Sequence, residues 1–272
     1  MCSESFENSE DSDLLQNNNN YKTAHKFGKH ETLDSKAVQR RRILAQCLVT
    51  AAVMLSSASC GMPVGYSAIL LPQLQITNDS MRIGDEMGSW IASLHSAATP
   101  VGSLLSGIFM DRFGRKVAMQ IASTPLIVGW LLIGLAQNHV WLLIGRIVAG
   151  ISAGLAAATG QVFIGEISEP HLRGIFSSGP FASYSFGILL VYALGFLLPW
   201  REVAGLSAIP PITALAIYFF LPESPVWLVR RGRIEEARAS MLWLRGGNLN
   251  KVRTSFQKTG TTIILRRLPL YF

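Results

Sequence analysis

Charge is what this chain has least of. Only 15% of its 272 residues are Asp, Glu, Lys or Arg, where a soluble domain carries about 25%. The few charges are also segregated. Ile43–Asn78, Val117–Gln137, Ile175–Trp200 and Val203–Pro222 hold none, and Met87–Met110 holds only a titratable His95. Val140–Gly165 holds one, Arg146. Cysteine is scarce too. Cys2 lies in the polar N-terminal stretch and Cys47 and Cys60 in an apolar run, which excludes the disulfide framework of a small secreted domain. There is no phosphate-cradling glycine loop, no metal-ligand cluster and no nucleophile spaced for a base. The chain is therefore read as a non-enzyme with no cofactor and no metal. Its first residues lack an apolar run, which excludes a signal peptide.

What is present is six long apolar stretches. A helix needs roughly 20 apolar residues to cross a bilayer, and a lone strand would leave its backbone groups unpaired in lipid. The expected fold class is an all-α membrane protein with six transmembrane helices. Four segments are expected: a disordered cytoplasmic tail (1–42), the six-helix unit (43–222), a cytoplasmic amphipathic helix region (223–246) and a tail without readable organisation (247–272). The amphipathic region is marked by Ile234, Ala237, Met241 and Leu244 at helical spacing.

The net charge of +7 does not point to nucleic acid, because the basic residues sit beside helix ends. With the N-terminus inside, eleven of them fall on the cytoplasmic side: Arg40–Arg42, Arg112, Arg115, Lys116, Arg173, Arg230, Arg231, Arg233 and Arg238. Two fall outside, Arg82 and Arg201. The positive-inside rule then places both termini in the cytoplasm, with lipid as one partner. Asn78-Asp79-Ser80 is an N-glycosylation acceptor pattern on the expected outer face. Gly61 and Gly65, and Gly150, Gly154 and Ala158, form small-residue stripes that suit close helix contact in lipid.

The remaining charges gather at the inner ends of different helices: Asp111, Arg112 and Arg115, then Glu166, Arg173 and Glu223. Paired across helices they form a latch; unpaired, they are costly. The run Gly107-Ile108-Phe109-Met110-Asp111-Arg112-Phe113-Gly114-Arg115-Lys116 resembles the signature loop of the major facilitator superfamily. Gly145-Arg146, Glu166, Arg173-Gly174 and Pro222-Glu223-Ser224-Pro225 resemble its sugar porter family. Residues 177–195 are most similar to insect facilitated trehalose transporters and their relatives. The resemblance implies the N-terminal half of a twelve-helix carrier, two inverted three-helix repeats, with Asp111, Arg112, Gly114, Arg115, Glu166, Arg173 and Glu223 as the inner-gate latch and Arg146 as the helix-four arginine.

It further implies facilitative transport of a sugar, trehalose or a hexose, by alternating access, at the plasma membrane. Proton-driven sugar porters resemble this chain but carry a carboxylate in helix one, and here there is none. Three departures from the family pattern stand out. Phe163 takes the place of a tyrosine before Glu166. Phe181 takes the place of a sugar-contacting glutamine. The second six helices are absent, so the chain reads as a truncated half whose partner is another transporter half or a full-length relative. Two alternatives stay open: an organic ion transporter of the same superfamily, and a membrane interaction protein that transports nothing.

Overall fold

The computed structural model describes residues 4–76, 81–169 and 172–245, with side chains from Val38 onward. Asn78 and the stretch 247–272 lie outside the described residues. The elements in order are α1 (Glu4–Ile76), α2 (Asp85–Phe113), α3 (Arg115–Gly134), α4 (His139–Ile167), α5 (Arg173–Leu197), α6 (Trp200–Ser207), α7 (Ile209–Phe220), α8 (Pro225–Arg230) and α9 (Ile234–Leu244). Among the described residues there is no strand.

Five segments are long and apolar enough to cross a membrane: Val38–Ile76, Arg115–Gly134, His139–Ile167, Arg173–Leu197 and Trp200–Phe220. The sixth crossing is α2. Its 29 residues reach about 43 Å at 1.5 Å per residue, but serines and small residues dilute its apolarity. Those hydroxyls turn back onto the helix's own carbonyls: Ser93 onto Ser89 at 2.7 Å, Thr99 onto His95 at 2.9 Å, Ser106 onto Ser103 at 2.6 Å. No donor is left unpaired towards lipid by these three.

Two boundaries differ from expectation. The stretch 4–42, expected to be disordered, is helical and continuous with the first span. Adding turns to an existing helix needs no new nucleus, so polar composition alone does not end it. The last span breaks at Ala208 into α6 and α7. Pro210 and Pro211 have no N–H to donate and sit in the first turn of α7, where no intrahelical donor is needed.

The helices pack through glycine. A Cβ on Gly61 would lie 2.1 Å from the carbonyl oxygen of Tyr184, and one on Gly150 would lie 2.3 Å from that of His95. A Cβ on Gly65 would approach the Ile188 carbonyl at 3.2 Å, and one on Gly154 that of Thr99 at 2.1 Å. These two contacts are one contact repeated. Gly61 and Gly65 in α1 become Gly150 and Gly154 in α4 on moving 89 positions along the chain, and the same step takes His95 and Thr99 in α2 to Tyr184 and Ile188 in α5. The α1–α5 and α2–α4 seams are thus copies. Three crossings lie in each copy, so the second is inverted relative to the first, which gives two inverted three-helix repeats.

Two apolar cores fill the bundle. One surrounds Tyr66, Leu126, Trp130 and Ile133; the other, at the end that carries α9, joins Val49, Val53, Met119, Phe163 and Tyr218 to Leu244. Leu104, Phe196 and Phe220 point outward, 81%, 90% and 86% exposed, as a surface facing hydrocarbon requires.

Candidate functional site

The end of the bundle that carries α8 and α9 is organised by one sharp turn. Gly114 has φ of 101°, a region closed to most L-residues, and a Cβ there would meet the Glu223 carboxylate at 2.4 Å. The turn aims the first amides of α3 at Glu223. Its Oε1 accepts from the backbone N–H of Arg115 (2.8 Å), Lys116 (2.9 Å) and Ser224 (2.8 Å). A carboxylate at a helix N-terminus also offsets the partial positive charge there.

Arg115 is buried at 3% exposure. Its Nη2 donates to Glu166 Oε1 at 2.8 Å and its Nη1 to the Met110 carbonyl at 3.0 Å. Glu166 in turn accepts from the Ser224 hydroxyl through its second oxygen, while Ser224 caps α8 by accepting from Trp227 N–H at 3.4 Å. Asp111 adds little as a charge. It stands 3.7 Å from Arg115 with its side chain 79% exposed, where an ion pair contributes little. Its carbonyl is the part that binds, accepting from Trp227 Nε1 at 3.0 Å and from Arg231.

The structure therefore brings Asp111, Gly114, Arg115, Glu166 and Glu223 together, and leaves two expected members out. Arg112 is exposed and stacks over Phe113 at 5.7 Å. Arg173 is exposed and makes no ion pair among the described residues. For Arg112 the reason is its place in the chain: it lies in the last turn of α2 and Arg115 starts α3, so the Gly114 turn points them in different directions. Sequence reasoning missed Ser224 as the bridge, and missed Glu169, which pairs with Arg42 and Arg245. The spacing of Glu166 and Glu169, three apart at the end of α4, was the one available sign.

Deeper in the bundle Arg146 is fully buried. Its Nη1 donates to the Pro63 carbonyl at 2.5 Å and its Nη2 to the Ser67 hydroxyl at 2.7 Å. The guanidinium lies 5.5 Å over the Tyr66 ring, which stands edge-on to Trp130. The Tyr66 hydroxyl donates to the Trp200 carbonyl at 2.7 Å, and Trp200 N–H donates to Gln73 at 2.8 Å. On the neighbouring face Phe181 is 68% exposed, and Gln161, Ser183 and Tyr184 are half-buried. No group of three His, Cys, Asp or Glu among the described residues could hold a metal. What the arrangement can do is hold helix ends together at one membrane face.

Comparison with known proteins agrees with this chemistry. Residues 19–264 match the family described as "Sugar (and other) transporter". The chain is 36% identical over 203 residues to a facilitated trehalose transporter of Culex quinquefasciatus, covering 74% of this chain and 39% of that one. It is 32% identical over 215 residues to a facilitated glucose transporter, solute carrier family 2 member 8, of Mus musculus, covering 78% and 44%. Among solved structures it resembles a proton:xylose symporter of the major facilitator superfamily, with TM-score 0.75, 21% identity and coverage of 84% and 55%. The chain spans 22% to 44% of the length of the curated relatives it matches.

Proposed function

Because this chain belongs to the sugar transporter family, with the fold of one half of a major facilitator protein, we propose that it serves facilitative, uncoupled transport of trehalose or a hexose by alternating access. The observation that carries the uncoupled part is the surrounding of Arg146. In proton-driven carriers of this kind a titrating carboxylate is the natural partner for a buried arginine. Arg146 instead donates to a hydroxyl and a backbone carbonyl of α1, and the titratable side chain beside it is the His95 imidazole rather than a carboxylate. The Arg115–Glu166–Ser224 bridge and the Glu223 cap supply the inner latch that alternating access needs.

The substrate class follows the relatives' names. Phe181 supports a sugar other than glucose as the preferred one, since it offers no hydroxyl partner. A central site in this fold lies between two six-helix halves, so the second half is a required partner. The protein is integral to the membrane, and we place it in the plasma membrane with both termini cytoplasmic. The test is uptake of labelled trehalose and glucose into liposomes. The 272-residue chain alone should show no saturable uptake above empty vesicles; joined to a second half, uptake should be saturable and insensitive to a proton gradient. Saturable uptake by the chain alone would refute the need for a second half, and gradient-driven uptake would refute the uncoupled mechanism.

A further inference from the structure

Glu169 lies where four elements meet. Its carbonyl accepts from Arg173 N–H at 2.9 Å and so carries the first turn of α5. Its own N–H reaches Gln46 Oε1 of α1 at 3.4 Å. One carboxylate oxygen, Oε1, receives Nη1 of Arg42 from α1 at 3.4 Å and Nη1 of Arg245 from the end of α9 at 2.6 Å. Glu169 and Arg42 are both only 8% exposed, so the pairing is shielded from salt and water and is stronger than a surface bridge.

Part of the polar surface in this seam has no hydrogen bond among the described residues. Arg42 Nε, Gln46 Nε2 and Ser168 Oγ are buried and have no hydrogen-bond partner among the described residues. The cytoplasmic segment itself is stiff, because Trp227 and Leu228 of α8 pack on Ala237 of α9. Its α8 end is tied to the bundle through Ser224 and Glu166, and its α9 end through Arg245 and Glu169, beside Leu244 packed in the core and the Ser240 hydroxyl donating to the Glu223 carbonyl at 2.6 Å.

We propose that Glu169 is a positioning residue: with Glu166 it forms a two-point clip that seats the α8–α9 segment on the bundle, and Glu169 fixes the last turn of α9 through Arg245. The two carboxylates, three residues apart at the close of α4, divide the work. Glu166 serves the α2–α3 turn and α8; Glu169 serves α1 and α9. The assignment does not depend on which solute is carried, and a failure of sugar uptake would leave it standing.

The test is a distance measurement by pulsed electron paramagnetic resonance in lipid nanodiscs. Spin labels go on Cys47, exposed on α1, and on Ala239→Cys, exposed on α9, in a background with Cys2→Ser and Cys60→Ala. The parent should show one dominant distance. Arg245→Gln should move most of that peak to a broad distribution while the unfolding temperature of the bundle stays in place. Glu169→Gln should do the same and Glu169→Asp should keep the peak, whereas Arg42→Gln should leave α9 seated. If Glu169→Gln does not fold, Arg245→Gln decides the matter. An unchanged peak in Arg245→Gln would overturn the proposal and leave Leu244, in the inner core, as the contact that seats α9.

Discussion

Consider replacing Glu166 by Gln. The substitution keeps size and one acceptor and removes the charge facing Arg115. Stranding one partner of a buried ion pair costs about 3–5 kcal/mol. Here the loss should be smaller for two structural reasons. Arg115 keeps its bond to the Met110 carbonyl and a distant Asp111, and the Glu166 side chain is 14% exposed rather than sealed. A cost of about 2 kcal/mol follows, which is about thirtyfold in the unfolding equilibrium. The assay uses a thiol already in place. Cys60 is buried at 3% exposure, so with Cys2 and Cys47 changed to Ser its alkylation by a fluorogenic maleimide reports unfolding in detergent. A double-mutant cycle with Arg115→Leu isolates the pair. The coupling should be about 2 kcal/mol, against at most about 0.5 kcal/mol for Arg115 with the exposed Asp111. Coupling no larger than that of the Asp111 pair would show that the Arg115–Glu166 contact is incidental and would remove the basis of the latch.

Three further outcomes are expected. Gly154→Ala should abolish the single sharp size-exclusion peak, because the new Cβ would stand 2.1 Å from the Thr99 carbonyl, whereas Gly107→Ala should be tolerated with nothing within 4 Å; equal behaviour would refute the α2–α4 seam. In the assembled transporter Ser67→Asp puts a carboxylate where Arg146 Nη2 now meets a hydroxyl at 2.7 Å, so uptake should come to depend on a proton gradient; gradient-independent uptake would remove this pair from the coupling argument. Epitope tags at residues 1 and 272 should both resist external protease in intact cells, and digestion of either would overturn the six-crossing orientation.

Much of the membrane architecture was written in composition. Outside a closed barrel a bilayer is crossed by long apolar helices, so the nearly charge-free intervals marked the spans directly. The paired stripes of Gly61 and Gly65 and of Gly150 and Gly154 already hinted at the repeat, because close backbone contact in lipid needs small residues at a spacing of four. The Gly114 turn and its charged neighbours were also visible, since motif residues lie side by side in the chain.

Pairing across helices was not. Each residue rotates its side chain by about 100° around a helix axis, so which arginine turns inward depends on phase and on where the preceding turn ends. Tertiary structure alone put Arg115 rather than Arg112 or Arg173 against Glu166, and set Ser67 opposite Arg146, 79 positions away. It alone split the last span at Ala208, and it alone gathered Arg42, Glu169 and Arg245 from three distant parts of the chain. Transfer into lipid is a property of each segment and can be read locally. An ion pair is a property of two segments and exists only once their relative rotation and depth are set.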